Sequence, residues 1–171
     1  MIQNKDILLN KGNIITDSSS IIYLEKIGLL KTYSNFKNIL TPTPIYNELT
    51  SLINSIDYSQ YLEIVEPINR YIININNSTI LKYPDISLIN LYYQIDSDGI
   101  LTDDGKVCKY CRANKITYIN TPMVIFSLML CKIIDLNIFY EKLDEVYKIG
   151  RYSKYIRDYM DNIIKEWVLN V

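Results

Sequence analysis

Carboxylates stand at the ends of two predicted strands. Asp17 directly follows the β-prone residues 13–16, and Asp103 and Asp104 directly follow residues 99–102. In an open parallel sheet, ligands bind outside the carboxyl ends of the strands. Taken alone, an Asp at a strand-to-helix turn is more often a helix cap than a ligand. The two turns therefore indicate a binding site only if their acids converge.

Two further acids lie near the starts of predicted helices. Glu48 is a little over one turn into its helix, and Asp85 lies in the first turn of another. Carboxylates that share one site raise each other's pKa unless a cation is present. Clusters of oxygen ligands suit Mg²⁺ or Mn²⁺ rather than zinc. If these helix starts border the same sheet edge, the sequence predicts one acidic metal site of four or more carboxylates.

Composition and charge exclude several other classes of protein. The chain has 171 residues and 49% hydrophobic residues, which predicts a single globular domain over residues 1–171. It has no His, which excludes His-based triads and His zinc sites. The net charge of −1 argues against a duplex binder that uses its whole surface. Contact with nucleic acid would need a local basic patch or bound metal.

The cysteines and the apolar runs do not point to a redox or membrane function. Cys108 and Cys111 have no second pair and no His to complete a zinc site, so we expect buried or half-buried thiols on one helix face. We see no signal peptide and no apolar stretch of the ~18–20 residues that a membrane span requires. We therefore expect a cytoplasmic protein with no membrane partner.

Strands and helices alternate along most of the chain. This order predicts an α/β fold, a three-layer sandwich with a central parallel sheet flanked by helices. Residues 1–12 form a leader of uncertain structure, and residues 137–171 supply the C-terminal helices. The predicted strands are 13–16, 38–41, 62–67, 99–102 and 116–119, and the predicted helices are 21–30, 44–56, 83–95, 106–115, 123–134, 137–149 and 153–169.

Four blocks of the sequence resemble PIN-domain ribonucleases. Each block carries its acid in the order that this family uses, and together the blocks cover about residues 13–131. The tail at residues 150–153 also looks like the C-terminal helices of bacterial and archaeal members. The blocks are a strand, an Asp and small hydroxylated residues (14–24), a strand, a proline turn and a Glu (39–49), an Asp at a helix start (84–89), and a strand ending in Thr-x-Asp (100–106).

The resemblance implies a PIN-like fold and assigns the acids. By position, the catalytic and metal-binding residues would be Asp17, Glu48, Asp85 and Asp104, where Asp104 falls at the acid of the Thr-x-Asp pattern. Asp103 would be an auxiliary ligand. In addition, Ser19 would help hold the site, and Asn120-Thr121 departs from the small pair that many members carry.

The resemblance also implies an activity and partners. One or two Mg²⁺ or Mn²⁺ ions would activate a water that hydrolyses RNA phosphodiester bonds. PIN proteins of this size commonly act as toxins held by a small antitoxin, and they are often homodimers. Each of these expectations comes from the resemblance and not from the residues themselves.

Basic residues follow the last acid at intervals of three. Lys106, Lys109, Arg112 and Lys115 form a winding stripe on one predicted helix. They could contact RNA phosphates, and a solvated helix face explains them equally well. A second basic run has the same two explanations. The 16 Tyr favour core or dimer packing over RNA stacking. The second basic run is Lys148, Arg151, Lys154 and Arg157, and the tyrosines in apolar helical patterns are Tyr92, Tyr93, Tyr140 and Tyr147.

Two other functions compete with the ribonuclease. A phosphoacceptor domain needs paired acids after its first strand, whereas Ser18 to Ser20 follow Asp17, and it needs a Lys where Asn120 ends a later strand. A catalytically inactive PIN-like module would bind RNA or protein without cleavage. The acids present in all four blocks argue against this second alternative.

Overall fold

The computed structural model describes residues 6–53, 55–68 and 81–169. Within this part of the chain, five strands form one parallel sheet. The strands are β1 (Asn13–Thr16), β2 (Asn38–Pro42), β3 (Glu63–Val65), β4 (Gly99–Leu101) and β5 (Tyr118–Ile119), and their order across the sheet is β3-β2-β1-β4-β5.

Helices cover both faces of the sheet. A 3-10 helix, Tyr58–Gln60, precedes β3. The α-helices are α1 (Asp6–Leu9), α2 (Ser18–Lys26), α3 (Leu30–Phe36), α4 (Thr43–Leu52), α5 (Tyr83–Gln94), α6 (Gly105–Ala113), α7 (Thr121–Leu130), α8 (Leu136–Ile149) and α9 (Lys154–Leu169).

The alternation of side chains along each strand makes two cores. Successive side chains of a strand point to opposite faces. Ile14 packs into a core with apolar residues of α1, α2, α3, α7, α8 and α9. Ile15 packs into a second core with residues of α5 and α6. The predicted three-layer α/β sandwich with a central parallel sheet is confirmed.

The strand order places a topological switch point between β1 and β4. The chain winds from β1 outward to β2 and β3, then returns to pair β4 with the other side of β1. In register, Ile14 lies opposite Ile39 of β2 and Gly99 of β4. A crevice forms at such a reversal outside the carboxyl ends of the strands. Asp17 and Asp103 follow the two strands that border it.

The predicted helix over residues 21–30 is wrong at both ends. α2 starts at Ser18 because Asp17 caps it, and it ends at Lys26. Gly28 has φ +72, and the amides of Gly28 and Leu29 donate to the carbonyls of Glu25 and Leu24. This is the Schellman arrangement that a glycine after a helix permits. The chain then forms α3, which the sequence did not predict.

Other boundaries differ by a few residues. The predicted helix over 123–134 begins at Thr121 because Asn120 caps it, and it ends at Leu130 before a left-handed Lys132 (φ +58). The predicted helix over 44–56 ends at Leu52. In the leader, α1 buries Ile7. Residues 1–5 of that leader, residue 54 of the predicted helix and residues 170–171 of the C-terminal segment lie outside the described residues.

Among the described residues, none of the helices combines the length and the apolar character needed to cross a bilayer.

Candidate functional site

Asp17 is buried at the end of β1, where three donors hold its carboxylate. The backbone amide of Ser20 donates to Oδ1 at 2.8 Å, and the Ser19 hydroxyl donates to the same oxygen at 3.0 Å. The Thr102 hydroxyl, at the end of β4, donates to Oδ2. The side chain is only 5% exposed. Asp17 is thus both the cap of α2 and a link between the two central strands.

Burial sets the charge state of Asp17. Removal from water raises the pKa of Asp17 to about 6, and the nearby carboxylate of Asp103 adds to the rise. The hydrogen bonds from Thr102 and Ser20 act in the opposite direction because they stabilise the ionised form. An acid with this pKa exchanges its proton close to neutral pH, which is common at functional sites.

Asp103 is also enclosed by donors, which come from α2, from the start of α7 and from the segment before α9. The Ser20 hydroxyl donates at 2.8 Å, the Thr121 amide at 3.2 Å and the Tyr152 hydroxyl at 2.7 Å, and the Thr121 hydroxyl donates as well. Both carboxylate oxygens therefore have two donors each. Burial raises the pKa of Asp103, and these hydrogen bonds limit the rise.

Glu48, Asp85 and Asp104 form a more open group, which we call the outer acids. Asp104 caps α6 and accepts from the amides of Lys106 (2.7 Å) and Val107 (3.1 Å) through Oδ1. Asp85 Oδ2 accepts from an amide at the start of α5 at 3.0 Å, and Glu48 Oε2 accepts from a serine hydroxyl at 3.1 Å. The second oxygen of each outer acid has no hydrogen bond within the described residues.

The outer acids influence one another. Partial burial raises the pKa of Asp85, and the carboxylates of Asp104 and Glu48 raise it further. These acids are also tied to Asp17: Ser18, the next residue in the chain, donates to Glu48. On the other side, the Thr102 hydroxyl donates to Asp17 and accepts from the Asp104 amide at 3.2 Å.

The structure therefore brings the predicted acids to one edge of the sheet, but as two groups. Asp17 and Asp103 are an inner pair whose oxygens are bonded to the protein, and the outer acids face solvent beside it. In the described part of the chain, no three acidic or cysteine side chains are arranged to hold a metal ion together. The donor chemistry suits Mg²⁺, because this ion commonly binds one or two protein carboxylates and completes its shell with water and substrate phosphate.

A cavity of about 1170 Å³ opens beside the acids. Its lining includes Ser19, Asp103 and Asp104, and it also includes the basic residues Lys109 and Arg112 of α6. Two of the three predicted substrate-binding cations thus face this space, together with Lys115. The third, Lys106, is exposed on the same helix but lies outside the cavity lining.

The second basic run divides between the cavity and local contacts. Arg151 lines the cavity. Lys148 forms an ion pair with Asp144, and Lys154 pairs with Asp158 at 2.7 Å. Arg157 stacks over the Tyr147 ring at 4.9 Å from its centroid. Of these four cations, Arg151 is therefore the one that can contact a ligand in the cavity.

The cysteines behave as the sequence predicts. Cys111 is buried and Cys108 is half-buried, and both are free thiols. Burial raises the pKa of each to about 12, so they stay protonated and unreactive at neutral pH.

Three polar contacts of the site were missed by sequence reasoning. These are the roles of Thr102, Thr121 and Tyr152, whose hydroxyls each donate to an inner acid. The threonine of the Thr-x-Asp pattern was a usable signal for the first. Tyr152 carried none, because it is separated from Asp103 by 49 residues and lies between two predicted helices.

Comparison with known proteins gives one finding. A family model described as a PIN domain matches residues 13–167, which includes all five acids and most of α9. Comparison with curated proteins found no match, and neither did comparison with solved structures.

Proposed function

Because the chain belongs to the PIN-domain family, we propose that it is a Mg²⁺- or Mn²⁺-dependent endoribonuclease. The observation that carries this proposal is the meeting of Asp17 and Asp104 at the switch point between β1 and β4. There the Thr102 hydroxyl contacts both residues. Side chains at such a crevice are those that an α/β sheet presents to its ligand.

The residues that would hold the ion are Asp17 and the outer acids, Glu48, Asp85 and Asp104. Each outer acid keeps one carboxylate oxygen without a hydrogen bond among the described residues, so a cation can be bound without breaking a helix cap. One or two bound ions would lower the pKa of a coordinated water and stabilise charge on the leaving oxygen of the phosphodiester.

The protein's own residues orient this site. Ser19, Ser20 and Thr102 fix the carboxylate of Asp17 by donating to it. Asp103 has two donors on each oxygen, so we assign it to positioning rather than to the auxiliary metal role that the family resemblance implies. Through Tyr152 it holds the segment between α8 and α9 against the site.

The alternative is a PIN-like module that binds RNA without cleaving it. The observation that favours it is that protein donors already bond both carboxylate oxygens of Asp103 and both of Asp17. Titration with Mn²⁺ followed by calorimetry separates the two, because the module should bind no ion and the enzyme should release heat on binding. The antitoxin, the homodimer and the cytoplasmic location stay predictions from the family resemblance and the composition.

The decisive experiment measures cleavage of RNA with and without Mg²⁺ or Mn²⁺. Asp104→Asn should lower the rate about 1000-fold, because loss of a metal ligand removes several kcal/mol of transition-state stabilisation. The melting temperature should hardly change, since Asn caps helices as well as Asp does.

Asp135→Asn is the matched control. Asp135 caps α8 through the Ile138 amide at 2.9 Å, as Asp104 caps α6, but it lies away from the acids. This variant should keep full activity. Retention of full metal-dependent cleavage by Asp104→Asn would remove that residue from the site, and cleavage without divalent metal would refute the proposed chemistry.

A further inference from the structure

The cavity beside the acids has two walls of different chemistry. One wall is α6 and the residues after it, with Lys109, Arg112 and Lys115. The other is the start of α9, with Tyr155 and Tyr159. Asp103 and Asp104 belong to the same lining, so a ligand in the cavity lies beside the proposed site of cleavage.

The basic wall offers cations that the described part of the protein does not neutralise. Lys109, Arg112 and Lys115 are exposed, and none of them takes part in an ion pair among the described residues. Lys109 and Arg112 lie on α6, about 4.5 Å apart along its axis at 1.5 Å per residue, and Lys115 follows the end of the helix. A row of this kind fits a phosphate backbone, whose charges repeat at a regular spacing.

The aromatic wall exposes flat rings to solvent. Tyr155 is 74% exposed, the most exposed large apolar side chain in the described residues. Its ring lies nearly parallel to that of Tyr159, with 14° between the planes and 6.5 Å between the centroids. Solvent-exposed rings beside cations are the combination that proteins use to bind unpaired bases.

Arg112 and Tyr155 line the same cavity. The Arg112 guanidinium donates to the Tyr118 hydroxyl at 3.1 Å, and this hydrogen bond raises the pKa of Arg112. Tyr155 also interacts electrostatically with Arg112. A ligand in the cavity can thus contact both cations and rings.

We infer that Tyr155 holds the RNA in this cavity by stacking an unpaired base, while phosphates lie along Lys109, Arg112 and Lys115. The inference rests on the proposed function for the choice of RNA as ligand. Duplex RNA fits less well, because its bases are stacked inside an A-form helix and cannot reach the tyrosine ring.

Binding is measured by fluorescence anisotropy with a labelled single-stranded RNA in EDTA, which keeps cleavage out of the readout. Tyr155→Ala should weaken binding about tenfold, as expected for the loss of one stacked base. Tyr140→Ala is the control, since Tyr140 is 49% exposed on α8 and lies outside the cavity. It should leave the Kd unchanged.

The charges are tested through the salt dependence. Lys109→Ala should reduce the slope of log K against log[salt] by about 0.7, the value for one phosphate contact on a single strand. Lys31→Ala, an exposed lysine of α3 outside the cavity lining, should leave the slope unchanged. Tyr155→Ala should weaken binding without changing the slope, because stacking releases no counterions.

The same strand annealed to its complement completes the test. Equal affinity for the duplex, or equal Kd values for Tyr155→Ala and Tyr140→Ala, would overturn the inference. The proposed function fails separately. If the protein never cleaves RNA but Tyr155→Ala weakens binding, the role of Tyr155 in the cavity stands and the nuclease proposal fails. If the protein cleaves RNA while Tyr155→Ala binds normally, the nuclease proposal stands and the role of Tyr155 fails.

Discussion

The two ends of the parallel sheet both hold aspartates, but they compensate the negative charge differently. At the amino end, Asp98 pairs with Lys37, whose side chain is fully buried, at 2.5 Å between Oδ2 and Nζ. At the carboxyl end, the donors that Asp17, Asp103 and Asp104 have among the described residues are hydroxyls and backbone amides. Among the described residues, none of the ion pairs includes an acid of that end.

This difference separates structural charge from charge held for a ligand. A buried charge without a partner is costly, and an ion pair removes much of that cost. At Asp98 the buried charge has its partner in Lys37. The carboxylate also lies so close to Gly12 that a Cβ at that position would collide with it. At the carboxyl end, the acids form no ion pair with any cation of the described residues. That arrangement supports our proposal that a divalent ion neutralises them.

The largest effect on stability should follow from breaking the amino-end pair. Lys37→Met leaves Asp98 without its cation and should lower the free energy of unfolding by about 3–5 kcal/mol. Cleavage per folded molecule should stay unchanged, because the pair lies at the opposite end of the sheet. Urea denaturation and RNA cleavage on the same preparation measure both quantities.

The double variant Lys37→Met with Asp98→Asn controls for side-chain packing. It removes both charges and should recover much of the lost stability. If Lys37→Met instead kept its stability and lost cleavage, the division between a structural end and a functional end would be wrong.

The sequence predicts the location of the acids well and their bonding poorly. Asp17 and Asp104 could be placed because each directly follows a short apolar strand, and parallel strands end at one edge. The partners of these acids come from distant parts of the chain, such as Tyr152 for Asp103. Periodicity reports which face of an element is apolar, and it does not report which distant hydroxyl will lie within 3 Å of a carboxylate.

The missed helix has a different cause. The apolar residues around Gly28 continue at helical spacing, so a single helix through them fits the pattern. The signal against it was the glycine itself, which ends α2 by adopting a positive φ. A local stop signal was therefore present and outweighed by periodicity. The buried pair of Lys37 and Asp98 carried no local signal at all, since 61 residues separate its members.

The pH dependence of stability should sharpen the contrast at Asp17. Its pKa is raised from 3.8 to about 6 in the folded protein, so the folded state holds a proton that the unfolded state has lost between these values. Stability therefore falls as the pH rises through this window. At 1.36 kcal/mol per pKa unit, ionisation costs about 3 kcal/mol by pH 8.

Asp17→Asn removes this dependence. Urea denaturation in EDTA should show the variant gaining about 2.5 kcal/mol relative to the native protein between pH 4 and pH 8. A constant difference between the two proteins across that range would show that the Asp17 carboxylate ionises without cost, as a carboxylate with a compensating cation would.

The smallest effect should come from two neighbouring tyrosines that differ in their hydroxyl contacts. Tyr152 donates to Asp103 at 2.7 Å, whereas the buried hydroxyl of Tyr147 has no partner among the described residues. The two rings lie 5.7 Å apart, so they share one environment. Tyr152→Phe should cost about 2 kcal/mol because it removes a hydrogen bond to a charged group.

Tyr147→Phe removes an unpaired buried hydroxyl and should leave stability unchanged or increase it. Neither change touches an outer acid, so both variants should cleave RNA at the native rate per folded molecule. Denaturation and cleavage together decide the role of Asp103. If Tyr152→Phe kept its stability but lost cleavage, Asp103 would act in the chemistry, and the inner pair could not be treated as a support for the outer acids.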